Sequence, residues 1–220
     1  MKKTAIIFDH DGTLVDSIDA VIFCTNRVIE NAGFKPDPVE KVKHGMAYPT
    51  AQRFGFHTDI TDPLTLDQMS VEFYDLMNVE GLQHLKLYPG IKRCLNTLAK
   101  RGYAFGMVTN NQGLLVRRAA AMLEYAYDFA VILGEENVTA TKPAPDGLLQ
   151  ACAGLGALPG NSWYIGDGQP DHDAAKAAGL KSGLVSWGAH PRETLEKLGP
   201  EQLFDTPKQL TDYFVKGDAA

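Results

Sequence analysis

Apolar positions along the chain follow two different rhythms. Ala5-Ile6-Ile7-Phe8 is a short β-branched and aromatic run that reads as a buried strand, and Gly12 supplies flexible backbone for the turn beyond it. Asp16-Ser17 then offers a helix cap. Behind it Val21, Ile22, Thr25, Val28, Ile29 and Ala32 recur at helical spacing until Gly33 stops the run. Asp37-Pro38 and Asp62-Pro63 each set a capping acid before a proline at the first helical position, and Leu66, Met69, Phe73 and Leu76 continue the second as an apolar stripe. Residues 16–82 therefore read as helix and loop. Their Met and aromatic stripes are core packing rather than a cofactor box.

From Tyr88-Pro89-Gly90 onward the rhythm changes. Spacing predicts helices over 91–100, 113–124, 146–153, 171–178 and 191–198, and strands over 103–108, 129–133, 163–165 and 182–185. Strand and helix alternate, which implies βαβ units and a parallel sheet with helices on both faces. The expected fold is thus α/β, a three-layer Rossmann-like parallel sheet core formed by residues 1–15 and 86–220. An all-helical domain, residues 16–85, is inserted after the first strand, with hinges near Val15 and Leu87.

Composition narrows the partners. A chain of 220 residues with 45% hydrophobic and 22% charged residues is that of a globular protein, and its apolar runs are strand-sized rather than membrane-sized. Met1-Lys2-Lys3 precedes an apolar run that reaches Asp9 too soon for a secretion signal, so the start reads as mature protein. Cys24, Cys94 and Cys152 show no C-x-x-C spacing, which points to no disulfide framework or zinc site and to the reducing cytosol. A formal net charge of −6 without a basic run argues against nucleic acid and leaves room for a local phosphate pocket. Monomer and homodimer both remain open.

Ligands of an open parallel sheet bind beyond the carboxyl ends of its strands. Four polar groups fall there: Asp9 with Asp11, Thr109-Asn110, Lys142 before Pro143, and Gly166-Asp167 with Asp171. If the backbone stays extended, Asp9 and Asp11 point one way and His10 the other, as a packing residue. One carboxylate can attack while its neighbour moves protons. Asp9, Asp167 and Asp171 form a hard-oxygen cluster suited to Mg²⁺, Lys142 supplies a fixed positive charge, and the Thr109 hydroxyl with nearby N–H groups can hold equatorial phosphoryl oxygens. These are the requirements of phosphoryl transfer.

Phe8-Asp9-His10-Asp11-Gly12-Thr13-Leu14-Val15-Asp16-Ser17, Val108-Thr109-Asn110, Lys142-Pro143, and Gly166-Asp167 through Asp171 to Ala178-Gly179 resemble the four motifs of the haloacid-dehalogenase-like hydrolase superfamily, in its phosphoglycolate-phosphatase-like branch with a helical cap. His10 stands where relatives commonly carry an apolar residue. The resemblance covers essentially the whole chain. It implies a cytoplasmic Mg²⁺-dependent phosphatase of a small phosphorylated metabolite, phosphoglycolate-like or a sugar phosphate. Asp9 would be nucleophile and metal ligand, and Asp11 the proton shuttle. The resemblance also implies that Asp11 meets the metal through its backbone carbonyl, that Asp167 and Asp171 complete the metal site, and that Thr109, Asn110 and Lys142 hold phosphate. It implies too that the cap closes over the site. His44, Tyr48, Arg53 and His57 lie in the centre of the cap, and Arg53 could clamp a substrate carboxylate in bidentate fashion. Alternatives are a phosphosugar mutase on the same scaffold and, from another class, a catalytically silent phosphate-binding protein. Dehalogenation needs neither metal nor a proton donor such as Asp11. Phosphonate cleavage would want a cap lysine, for which Lys41 and Lys43 are weak candidates.

Overall fold

The structure is a computed structural model and describes residues 4–46, 48, 50–125 and 129–217. The first strand, β1 (Ala5–Phe8), is wholly buried, as its β-branched sequence requires. A short strand, β2 (Val15–Asp16), follows the turn. The chain divides into two compact units, one comprising residues 17–85 and the other 1–16 with 86–220.

The helical unit contains α1 (Ile18–Asn31), α2 (Val39–Gly45), α3 (Thr50–Thr58) and α4 (Pro63–Val79). Asp62 caps α4 as its sequence predicts, accepting from the Thr65 backbone N–H at 2.9 Å. Buried Met69, Phe73 and Met77 form the inner stripe of α4, and Phe54 of α3 meets Phe73 edge to face at 6.1 Å. Two expected caps differ. Asp16 is drawn into β2, and Ser17 precedes α1 without a side-chain cap bond. Asp37 does not cap α2, because its carboxylate is taken by His57 Nδ1 and Lys41 Nζ, each at 2.8 Å. Two charge-assisted partners outcompete one backbone N–H.

The remaining elements form the α/β unit. A second short strand, β3 (Lys86–Leu87), pairs antiparallel with β2, so the segments that flank residues 17–85 form a small two-stranded ribbon. Then come α5 (Ile91–Lys100), β4 (Ala104–Val108), α6 (Gly113–Met122), β5 (Phe129–Leu133), α7 (Asp146–Leu155), β6 (Trp163–Gly166), α8 (Gln169–Ala178), β7 (Lys181–Val185), α9 (Arg192–Glu196), β8 (Gln202–Phe204) and α10 (Pro207–Gly217). Six parallel strands lie in the order β5-β4-β1-β6-β7-β8. β8 and α10 went unpredicted, since Gln202-Leu203-Phe204 is too short for a strand rhythm.

Alternation along the strands explains the layers. Ile7 and Tyr164 pack with Leu148, Ala151, Ala174 and Ala178 of α7 and α8. On the other face Phe8 meets Phe105 edge to face at 5.7 Å, and Trp163 meets Phe214 of α10 at 5.4 Å. The sheet centre is therefore dry on both faces, which holds the strand ends still. No helix among the described residues is long and apolar enough to cross a membrane.

Candidate active site

Asp9 follows β1 directly, and its N–H donates to the Ile165 carbonyl at 2.8 Å, so the sheet ladder fixes its position. Beyond it the chain no longer runs extended: Leu14 N–H returns to the His10 carbonyl at 2.9 Å, and Gly12 adopts φ +76°. A Cβ on Gly12 would fall 2.1 Å from Asp167 Oδ2, so both the turn and the close approach require glycine here. That turn overrides the side-chain alternation expected for Asp9, His10 and Asp11. His10 is indeed buried, with its ring stacked on Tyr125 at 6.4 Å, but its Nδ1 lies 3.2 Å from Asp11 Oδ2. Among the described residues neither ring nitrogen finds a well-formed hydrogen bond, so His10 is not the satisfied packing residue the pattern suggested.

Lys142 joins three of the sequence groups. Its peptide bond to Pro143 is cis. Its ammonium is buried, 2.8 Å from Asp9 Oδ1, 2.7 Å from Asp171 Oδ1 and 2.8 Å from Tyr164 Oη, which in turn donates to the Val108 carbonyl at 2.8 Å. Burial opposes the ammonium charge, but the Asp171 and Asp9 carboxylates outweigh it and hold the Lys142 pKa above the ordinary lysine range. Asn110 spends its whole amide on Lys142: Nδ2 donates to the lysine carbonyl at 2.9 Å, and Oδ1 accepts the lysine N–H at 2.8 Å. Thr109 is buried beside them, with its hydroxyl accepting from the Asn111 N–H at 3.1 Å.

The fourth group divides its labour. Asp171 sits in the first turn of α8, where its Oδ2 accepts the backbone N–H groups of Asp167 and Gly168 at 3.1 and 3.0 Å, while Oδ1 faces Lys142 and Tyr164. Gly166 makes room for it, since a Cβ there would lie 2.3 Å from Asp171 Cγ. Asp167 is held from the far side. Its Oδ2 accepts the Ala189 N–H at 2.8 Å, in a loop that Trp187 Nε1 ties to the Thr13 carbonyl at 2.9 Å.

Asp9, Asp167 and Asp171 each present an oxygen within 4.8 Å of the others. Burial, with repulsion from Asp171 and Asp11, pushes the Asp9 carboxyl up to about 6 despite Lys142. Burial and the charges of Asp171 and Asp9 push Asp167 up to about 7. Three carboxylates facing one ammonium leave an excess of negative charge in a desolvated place, and hard oxygens in that arrangement suit a divalent cation such as Mg²⁺. The Asp11 carboxylate is not in this trio. Its Oδ2 accepts from Asn111 Nδ2 at 3.1 Å instead.

Tyr164, Asn111, Trp187 and Ala189 were not found from sequence. Tyr164 reads as an ordinary strand aromatic, and Ala189 acts through its backbone. Asn111 alone carried a signal, as a second polar amide directly after the strand-end Thr109-Asn110. The helical unit brings His44, Tyr48 and Phe56 together, with Tyr48 and Phe56 centroids 5.3 Å apart. Arg53 stands over the Phe73 ring at 5.3 Å, and among the described residues its buried Nε and Nη1 have no hydrogen-bond partner. His57 Nδ1 is spent on Asp37.

Known proteins resemble this chain over most of its length. The profile of the haloacid dehalogenase-like hydrolase family matches residues 6–185. An N-acetylmuramic acid 6-phosphate phosphatase from Pseudomonas aeruginosa is 30% identical over 217 residues, 96% of this chain and 95% of the relative. A phosphoglycolate phosphatase from Psychrobacter arcticus is 25% identical over 224 residues, 98% of this chain and 97% of the relative. Among solved structures, a protein described as a haloacid dehalogenase-like hydrolase, from Bacteroides fragilis, superposes with a TM-score of 0.84 at 28% identity, covering 95% of this chain and all of that one. The strand-end aspartates, the buried lysine and these full-length similarities lead to one assignment: the chain belongs to the haloacid dehalogenase-like hydrolase family, in its phosphoglycolate-phosphatase-like branch, and is a phosphatase.

Proposed function

We propose that the protein is a Mg²⁺-dependent phosphomonoesterase that works through an aspartyl-phosphate on Asp9. The observation that carries this reading is the Asp9 carboxylate at a strand end, ion-paired to buried Lys142 and grouped with Asp167 and Asp171. Asp9 and Asp167 would hold the metal, with the Asp11 backbone carbonyl beside them. Asp171, whose oxygens are shared among Lys142, Tyr164 and two backbone N–H groups, completes the acidic cluster and orients its members. The bound ion would supply positive charge against the phosphoryl oxygens and keep Asp9 ionised.

An Asp9 oxygen attacks phosphorus in line. The ester P–O bond breaks, its electron pair stays on the leaving oxygen, and Asp11 in its acid form gives that oxygen a proton. Water then attacks phosphorus of the acyl phosphate, Asp11 takes the water proton, and inorganic phosphate leaves with Asp9 restored. Lys142 neutralises charge on the transferring group, and Thr109 offers its hydroxyl to an equatorial oxygen. Asn110 serves the phosphate at one remove, by fixing the backbone of Lys142.

The substrate is a small phosphorylated metabolite, phosphoglycolate-like or a sugar phosphate, in line with the names of the relatives. Residues of the helical unit make that choice in this reading, with Arg53 available for a carboxylate and His44 and Tyr48 for a sugar or acyl surface. A cytoplasmic setting follows from the metabolite and the free, buried Cys24, Cys94 and Cys152. The test is a panel of phosphorylated metabolites assayed for free phosphate with Mg²⁺ and with chelator. Turnover should require Mg²⁺ and vanish in Asp9→Asn. An Asp9→Asn variant that turns over normally would refute the mechanism.

A further inference from the structure

We infer that Asn111 is a positioning residue for Asp11, fixing which carboxyl oxygen carries the transferring proton; the inference rests on the proposed proton-shuttle role of Asp11. Asn111 lies just beyond β4, and its side chain reaches the turn that follows β1. Nδ2 donates to Asp11 Oδ2 at 3.1 Å, while Oδ1 accepts the Gln112 backbone N–H at 2.8 Å. A backbone N–H requires an acceptor, so the amide has one possible orientation, and its NH₂ end must face Asp11. The residue itself is held twice more. Its N–H donates to Thr109 Oγ1 at 3.1 Å, and its carbonyl accepts the Glu135 N–H at 3.0 Å. Asn111 is therefore a rigid donor, anchored to the strand end that also presents Thr109.

The consequence lies in the two oxygens of Asp11. In the acid form of a carboxyl group one oxygen bears the proton and the other is the better acceptor. Asn111 Nδ2 donates to Oδ2, which makes that oxygen the acceptor of the pair. This assigns the proton to Oδ1. When the ester P–O bond breaks, the Oδ1–H bond breaks with it, and the proton passes to the leaving oxygen. In the second step the water O–H bond breaks, and Oδ1 takes the proton back. Losing the Asn111 donor removes one restraint on which carboxyl oxygen carries the proton, so the proton is less often aimed at the leaving group.

The test uses leaving groups rather than overall rate. Wild type, Asp11→Asn, Asn111→Ala and Asn111→Ser are compared by kcat/KM on phenyl phosphate and on p-nitrophenyl phosphate with Mg²⁺. kcat/KM reports the step in which the leaving group departs, not the later hydrolysis. Phenolate is a base that needs a proton on departure, with a pKa of about 10 as in tyrosine. Nitrophenolate is far weaker and leaves without one. We expect the Asn111 variants to lose at least about tenfold more on phenyl phosphate than on p-nitrophenyl phosphate, a fraction of what general acid catalysis commonly supplies. Asp11→Asn should show the same pattern more strongly. Asn111→Ser keeps an acceptor close to the Gln112 N–H while dropping the reach to Asp11, so it tests the idea even if the alanine variant fails to fold. Equal losses on both esters would mark Asn111 as structural only and overturn the inference, as would no loss. If Asp11→Asn itself discriminates and the Asn111 variants do not, the inference alone fails. An Asp11→Asn variant without discrimination sinks the proton-shuttle reading and the inference with it.

Discussion

Asp167→Asn should make the metal-free protein more stable at neutral pH while removing its activity. Burial and the neighbouring charges of Asp171 and Asp9 push the Asp167 carboxyl from 3.8 up to about 7. The unfolded chain releases this proton near 3.9, while the folded protein keeps it to about 7, so between those values unfolding releases a proton and rising pH favours unfolding. Stability is thus lost progressively across that window and stays low above it. At about 1.4 kcal/mol per tenfold in proton affinity, the penalty approaches about 4 kcal/mol at pH 7.5. An asparagine keeps an oxygen for the Ala189 N–H and carries no charge, so most of that penalty disappears. Urea unfolding in chelator should show the Asp167→Asn midpoint above wild type by on the order of 1 M at pH 7.5, with the gap closing toward pH 5. Mg²⁺ should reverse the order, stabilising wild type at pH 7.5 and leaving Asp167→Asn nearly unmoved. A variant that is less stable than wild type in chelator at pH 7.5, or a gap that does not shrink on acidification, would refute the account of the cluster as charge held against its own repulsion.

Three further outcomes follow from the same geometry. Lys142→Met should lower kcat/KM by at least about a thousandfold and, because it strands buried carboxylates, destabilise the metal-free protein at pH 7.5 by about 3–5 kcal/mol, read by urea unfolding. Gly12→Ala should cost about 1–3 kcal/mol for the left-handed backbone and weaken Mg²⁺ binding, measured by calorimetry, because its Cβ would drive Asp167 from its place. Arg53→Gln should lower the ratio of kcat/KM for phosphoglycolate over p-nitrophenyl phosphate about tenfold, if the unpartnered Nε and Nη1 of Arg53 serve a carboxylate. An unchanged ratio would remove Arg53 from substrate selection.

The α/β core was legible because its strands are dense in β-branched and aromatic residues and end in polar groups. Ala5–Phe8, Phe129–Leu133 and the fourth-motif strand all stand where that pattern put them. What escaped was short or borrowed from tertiary contact. The pairing of Val15 with Leu87 joins residues far apart in sequence through two-residue strands, too little for any periodicity. Asp37 looks like a cap beside Pro38 until His57 and Lys41 claim its carboxylate. At the site, residue types announced the charges but not their division. Thr109-Asn110 reads as a phosphate cradle, yet Asn110 is tied at both ends to Lys142, and the donor that meets Asp11 is the neighbouring Asn111. Side-chain alternation fails at Asp11 because the chain turns back through Gly12 to the His10 carbonyl, which leaves Asp11 beside His10.

In the proposed metal site, Asp167 and Asp171 would divide their labour around one ion. In the proposed site a carboxylate that would hold the ion keeps one lone pair outward, and a neighbour would stop it from turning to the nearest cation, Lys142. Asp171 does the stopping: one of its oxygens takes the ammonium, and the other takes the Asp167 and Gly168 N–H groups that open α8. Ala189 then restrains Asp167 from the opposite side, with Trp187 tying that loop to the first-motif turn. Lys142, balanced between Asp171 and Asp9, stays charged and central without drawing Asp167 out of place. The same logic recurs at Asp11, the proposed proton shuttle, where Asn111 donates to one carboxylate oxygen. In both cases a partner fixed by the backbone takes one carboxylate oxygen, and in the proposed mechanism the chemistry falls to the other.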